Sequence, residues 1–301
     1  MPLVKILVAT DFSEAGTRAF EQALALDRPG ITEILVLHAL PPQIPLVAPL
    51  GEAGAAGLLE MGSLLDDVVR GLREEALRNL EGLKAKAPKG TKVQTVLDEK
   101  MGSPTEAILR TAQSWSADLI VMGTHGRGGL ERLLLGSVAS KVLHRSDCNV
   151  MIVRSDSILF PLKGGTGPIL VPVDFSPHSH RALALARELS SLSGAPLQLL
   201  HMVELAHTPL KPGGLSSRLD ETPGLREKYE TALRDMLGET PGEVRVVDGA
   251  PAGGILWWRE KLKASLVVMG SRGITGFEKL LLGSVAETVS RFCEVPVTVV
   301  K

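Results

Sequence analysis

Apolar residues run along this chain in short unbroken blocks, and between the blocks they recur at helical spacing. Strand-length blocks occupy residues 3–9 (LVKILVA), 34–39, 92–97, 118–122 and 150–154. Helices are predicted over 14–27, 64–87, 105–115 and 137–144, with Pro104 near the start of the third and Pro88 and Gly90 closing the second. A second series follows in the same order: strands 168–173, 196–203, 243–248, 265–269 and 296–301, with helices 177–192, 222–238, 252–263 and 284–292 between them. A block that is apolar throughout, instead of alternating, is buried on both faces of its sheet. Strands that alternate with helices therefore predict an α/β fold with doubly wound parallel sheets and helices on both faces.

Two stretches break the pattern. Residues 40–63 are rich in Pro, Gly and Ala and read as a long loop, either a lid or a passive insertion. Residues 155–167 (SDSILFPLKGGTG) end in glycines and read as a linker, which divides the chain into 1–154 and 168–301.

The two series are copies. KILVATDFSE at 5–14 matches PILVPVDFSP at 168–177, and ILVLHA at 34–39 matches LQLLHM at 197–202. GSPTEAIL at 102–109 matches GAPAGGIL at 249–256. The copied stretch with the most chemistry is GTHGRGGLERLLLGS, from Gly123, which pairs with GSRGITGFEKLLLGS, from Gly270. Each follows an apolar strand and leads into a helix that begins at Ser137 or Ser284. Strand, glycine-rich loop, Gly-Ser and helix is an arrangement that holds phosphate, because the backbone can approach the anion and the helix start offers unpaired N–H groups. A single copy could be a mere turn and cap; two copies at the same internal spacing favour the binding reading.

Other positions change the picture less. Asp11 and Asp174 each end a first strand in Asp-Phe-Ser. Ser13 and Ser176 are the better helix caps, Ser176 being followed by Pro177, so the carboxylates are expected to face the crevice and accept hydrogen bonds from a ribose or an adenine amino group. His38 and His201 close buried strands and read as satisfied core residues. Arg127 and Arg272 give each loop one permanent cation, and His125 gives the first loop a titrating group as well. Neither loop ends in the Lys-Ser/Thr of a Walker loop, and no general base is common to both. The sequence thus provides for binding phosphate more than for transferring it.

A net charge of −1 gives no pull toward nucleic acid or an anionic membrane, and ten aromatic residues in 301 leave little for base stacking. No apolar run reaches the roughly 20 residues of a membrane helix. Cys148 and Cys293 suit neither a disulfide framework nor a metal site, so a reducing cytoplasm is the expected setting.

The paired G-x-x-G-x9-G-S loops behind VMG, the strand-end D-F-S and the strand ending in LLH resemble the universal stress proteins, in the tandem form of their ATP-binding branch. The resemblance implies a five-stranded sheet of order 3-2-1-4-5 in each half, and one ATP per half with Mg2+ on its phosphates. It implies that adenosine meets Ala9, Asp11 and Ala39, and that ribose and phosphates meet Met122, Gly123, Gly126, Gly136, Ser137 and Val138. In the second half the counterparts are Pro172, Asp174 and Met202, then Met269, Gly270, Gly273, Gly283, Ser284 and Val285. It implies pairing of the last strands across a pseudo-twofold axis, with further homo-oligomers open. It also implies action as a nucleotide-dependent stress regulator or sensor on a client protein, with a slow ATPase or adenylyl-transfer enzyme as the alternative. Ala9 and Asn149 stand where the family commonly has Pro.

Overall fold

The computed structural model describes residues 3–28, 30–40, 55–100, 102–124, 135–161, 167–204, 219, 222–273 and 282–301, with only the backbone course given for 55–65. The first half runs β1 (Lys5–Ala9), α1 (Glu14–Ala25), β2 (Glu33–Ala39), α2 (Ala55–Ala85), β3 (Lys92–Asp98), α3 (Pro104–Trp115), β4 (Leu119–Gly123), α4 (Ser137–Arg145) and β5 (Asn149–Val153). The second runs β6 (Ile169–Pro172), α5 (Pro177–Ser193), β7 (Leu197–Val203), α6 (Leu225–Leu237), β8 (Gly242–Asp248), α7 (Pro251–Lys261), β9 (Leu266–Gly270), α8 (Ser284–Phe292) and β10 (Val297–Val300).

Within each half every strand pairing is parallel, and the strands stand in the order β3-β2-β1-β4-β5 or β8-β7-β6-β9-β10. The halves do not form separate sheets. β5 and β10 pair antiparallel, Val297 opposite Ile152 and Val299 opposite Val150, which makes one ten-stranded sheet. The carboxyl ends of the strands in one half therefore point opposite to those in the other.

The doubly apolar strands bury both faces. On one face Val8, Val36, Val121 and Met151 meet Phe20 and Ala23 of α1 and Leu80 and Leu83 of α2, and the cluster continues into α5 and α6. On the other, Leu7, Ile120, Val150 and Ile152 meet Ile108 of α3 and Val142 and Leu143 of α4, continuing into α7 and α8.

One expectation needs correction. Residues 55–63 belong to α2, not to a loop; AAGLLEM is rich in Ala and Leu, the strongest helix formers, and outweighs its glycine. The rest of the expected lid, 41–54, lies outside the described residues. The start of the expected linker is packed into the body. Ser157 and Phe160 are buried, the Ser157 hydroxyl donates to the Glu294 carbonyl at 2.9 Å, and Gln22 of α1 bonds both the N–H and the carbonyl of Phe160.

The Asp-Phe-Ser turn has the same build in both halves. Asp11 Oδ1 accepts the Ser13 N–H at 3.1 Å, and Asp174 Oδ1 accepts the Ser176 N–H at 3.0 Å, each closing an Asx turn. The Phe between them is left-handed, with φ 63° at Phe12 and 64° at Phe175. That conformation costs a non-glycine residue about 1–2 kcal/mol. Ring packing offsets it: Phe12 lies 4.4 Å from His38, and Phe175 lies 4.9 Å from His201 and 5.9 Å from Tyr229. The histidine is fixed in turn, its Nδ1–H donating to the Thr10 carbonyl at 2.8 Å or the Val173 carbonyl at 2.7 Å. Ser13 and Ser176 then cap α1 and α5, accepting the N–H of Gly16 at 3.1 Å and of Ser179 at 3.2 Å.

At the end of β4, Gly123 touches the first turn of α1, where an added Cβ would stand 2.8 Å from the Ala15 backbone. Gly270 makes the matching approach to His178, also at 2.8 Å. Gly123→Ala should thus cost about 1–3 kcal/mol by overpacking, read as a lower urea midpoint at unchanged slope. The second prediction concerns pH. Burial holds the His201 imidazole below its ordinary 6.5, whereas the unfolded imidazole titrates at that ordinary value. Below 6.5 the unfolded chain binds more protons, so stability should fall as pH drops from about 7.5 to about 5.5. His178 is lowered as well, by burial and then Arg181, and shares the direction. His201→Asn should be less stable at neutral pH yet show a flatter decline in urea titrations. A decline equal to that of the unsubstituted chain would remove His201 from the account.

Candidate functional site

A cavity of about 250 Å³ opens where the carboxyl ends of β1, β2 and β4 meet the starts of α3 and α4. Strand order reverses between β1 and β4, the place where open α/β sheets leave a crevice. Ala9, Asp11, Ala39, Met122, Gly123, Gly136, Ser137 and Val138 all line it. Eight of the expected first-half residues, from three strands and one helix start, thus share one space. Gly126 and Arg127, together with His125, lie outside the described residues.

Several lining residues carry no obvious signal of their own in the sequence. Thr10, Leu37, Thr124 and Ala139 flank expected positions, and Gly16 lies in the first turn of α1; His38, read as a core residue, lines the cavity as well. Pro104 and Ile108 come from α3, and the repeat of GSPTEAIL in GAPAGGIL was the signal that could have found them.

The polar end of the cavity is a helix start without a cap. Gly136 is the N-cap of α4 and has no side chain to cap the first turn. The first bond inside the helix is Ser140 N–H to the Gly136 carbonyl at 2.9 Å. The N–H groups of Ser137, Val138 and Ala139 therefore precede the ladder, at the positive end of the helix dipole. α8 repeats this, with Gly283 as N-cap, no side-chain cap and its first bond from Glu287 N–H at 3.0 Å. By contrast α1, α3 and α5 carry serine caps. The Gly136 and Gly283 N–H groups are used to close the loop necks, donating to Thr124 at 2.6 Å and to Ser271 at 2.7 Å.

The glycines act by allowing close approach, not left-handed backbone. Gly136 has φ −59° and Gly283 has φ −81°. In the second loop, a Cβ on Gly273 would stand 2.7 Å from Asp174 Oδ2, so the loop closes onto the carboxylate of the Asp-Phe-Ser turn. The Ser176 hydroxyl donates to the Arg272 carbonyl at 3.3 Å and adds a second tie.

The expected second-half residues also gather at strand ends. Pro172 ends β6, with Asp174 two residues on; Met202 is near the end of β7; Met269 and Gly270 end β9. Gly283, Ser284 and Val285 start α8, with Gly283 packed against Ser271 and Arg272 of the loop. The aspartates are not wholly available for a ligand, since each spends Oδ1 on its own turn; Asp11 Oδ1 also accepts the Ser13 hydroxyl at 2.6 Å.

The cysteines stay out of this chemistry. Burial, with Asp118 beside it, pushes the Cys148 thiol up to about 12, and burial raises Cys293 too. Among the described residues no helix is long and apolar enough to cross a membrane, and no three His, Cys, Asp or Glu side chains are grouped to hold a metal ion.

The same features recur in known proteins. The profile of the universal stress protein family matches residues 3–154 and again 165–301. A universal stress protein of Mycobacterium tuberculosis strain H37Rv is 32% identical over 232 residues, spanning 72% of this chain and 75% of the relative. One from Methanocaldococcus jannaschii is 34% identical over 151 residues, spanning 50% of this chain and 81% of the relative. The crystal structure of a universal stress protein from Archaeoglobus fulgidus superposes with a TM-score of 0.66 at 25% identity, covering 99% of this chain and 98% of that one. Two family matches in succession, over a sheet built twice to the same plan, make this chain a tandem member of the universal stress protein family.

Proposed function

We propose that the chain binds one adenine nucleotide, ATP, in each half and acts as a nucleotide-dependent regulator or sensor in a cytoplasmic stress response. The units would be 1–154 and 168–301, joined by 155–167. The observation that carries this reading is the cavity of the first half, apolar at one end and ending on an uncapped helix start at the other. Ala9, Ala39, Ile108 and Met122 offer a base the apolar walls it needs, and Asp11 stands beside them with a carboxylate. The N–H groups of Ser137, Val138 and Ala139 offer the phosphates their donors. The residues present thus fit a nucleotide from end to end.

Mg2+ would arrive with the phosphates, which supply the oxygens it prefers. The lack of a Walker lysine in either loop argues for holding ATP over hydrolysing it quickly. The client protein would read the nucleotide state from outside the crevices.

Calorimetry with ATP and magnesium should approach two nucleotides per chain. A Cβ at Gly283 would meet the Ser271 carbonyl oxygen at 3.4 Å, so the first atom of a side chain can be accommodated there. Gly136→Val and Gly283→Val should each remove binding in its own half while leaving the thermal unfolding transition in place. Undiminished ATP binding with both substitutions present would exclude these helix starts as the phosphate sites.

A further inference from the structure

The two crevices differ at the end that would take the base. β2 reaches the first crevice with Ala39, and α3 faces it with Pro104 and Ile108. β7 carries Met202 at the position matching Ala39, 163 residues on. α7 carries Gly254 where α3 has Ala107, 147 residues on.

These exchanges belong together. A Cβ on Gly254 would overlap the Met202 methyl and stand 2.8 Å from its sulfur. Gly249, just ahead of α7, lies beside the same methyl, its added Cβ at 3.6 Å. The thioether therefore runs from the end of β7 to the first turns of α7, between elements whose first-half counterparts line the cavity with Ala39, Pro104 and Ile108. Gly254 has an ordinary helical backbone, and glycine inside a helix costs about 1 kcal/mol relative to alanine. Room for Met202 gives it a physical reason.

We infer that Met202 is a specificity-determining residue, whose thioether narrows the base end of the second crevice so that this half holds a purine nucleotide more weakly than the first half does. The helix starts at the phosphate end are alike in the two halves, each preceded by a glycine N-cap without a side chain, Gly136 or Gly283. The second half then holds a nucleotide chiefly by its phosphates, and a smaller pyrimidine base loses less there. The inference rests on the nucleotide reading above.

The test titrates the full chain with ATP and with CTP, magnesium present, using Gly136→Val to isolate the second half and Gly283→Val to isolate the first. The preference for ATP over CTP should be at least about tenfold larger in the first half, the size of effect that a methylene or two produces in an apolar pocket. With the second half isolated, Met202→Ala should tighten ATP at least about tenfold and CTP much less. With the first half isolated, Ala39→Met should weaken ATP by a similar factor. Met202→Val, which keeps more of the packing, guards against a loss of folding in the alanine variant. Both are checked by thermal unfolding before titration. Unchanged ATP affinity of the second half in both Met202 variants, with the first half still binding ATP, would overturn the role of Met202 alone. Failure of the first half of the unsubstituted chain to bind ATP, or of the second half to bind either ATP or CTP, would overturn the nucleotide reading and this inference with it.

Discussion

Each half depends on one close approach, that of the last residue of its fourth strand to the first turn of its first helix. Gly123 lies against Ala15, and Gly270 against His178, with no room for a side chain between. The contact sets how far the helix can stand from the sheet, and so where the Asp-Phe-Ser turn delivers its aspartate. From the same glycine the chain departs into the loop, returns, and ties its neck to Thr124 or Ser271 before the next helix begins. Crevice, carboxylate and uncapped helix start are all positioned from that point.

Most of the architecture was legible because two periodicities are unambiguous. Apolar blocks of five to eight residues, set between helical segments, gave every strand, and every helix except α2, to within a few positions. Where the reading failed, local propensity and composition gave different answers. The run AAGLLEM sits in a stretch dominated by Pro and Gly, and the average concealed a helix start at Ala55. Phe160 looked like part of a tether because its partner, Gln22, is 138 residues away. Long-range burial of that kind leaves no local trace.

The site was legible through repetition, yet the reasons for its residues were not. The glycines suggested room for an anion, whereas Gly273 is packed on Asp174 and Gly123 on a helix. The histidines were read as core residues; His201 is buried, whereas His38 is half-buried and lines the cavity, and each braces a left-handed phenylalanine and is held by a carbonyl. Sequence indicates which positions recur; it does not say which atom each small residue makes way for.

The antiparallel seam between β5 and β10 has a further consequence. Asn149 stitches it on one side, donating to the Asp118 carbonyl at 3.1 Å and accepting the Lys301 N–H at 3.2 Å. Its repeat mate, Pro296, has no side-chain group to do the same. In a symmetric pair of separate chains, every substitution appears on both sides of the axis, and a change useful on one side must be tolerated on the other. Here the partners are covalently one, their union does not weaken on dilution, and each side mutates alone. Joining the copies end to end freed them from having to remain copies.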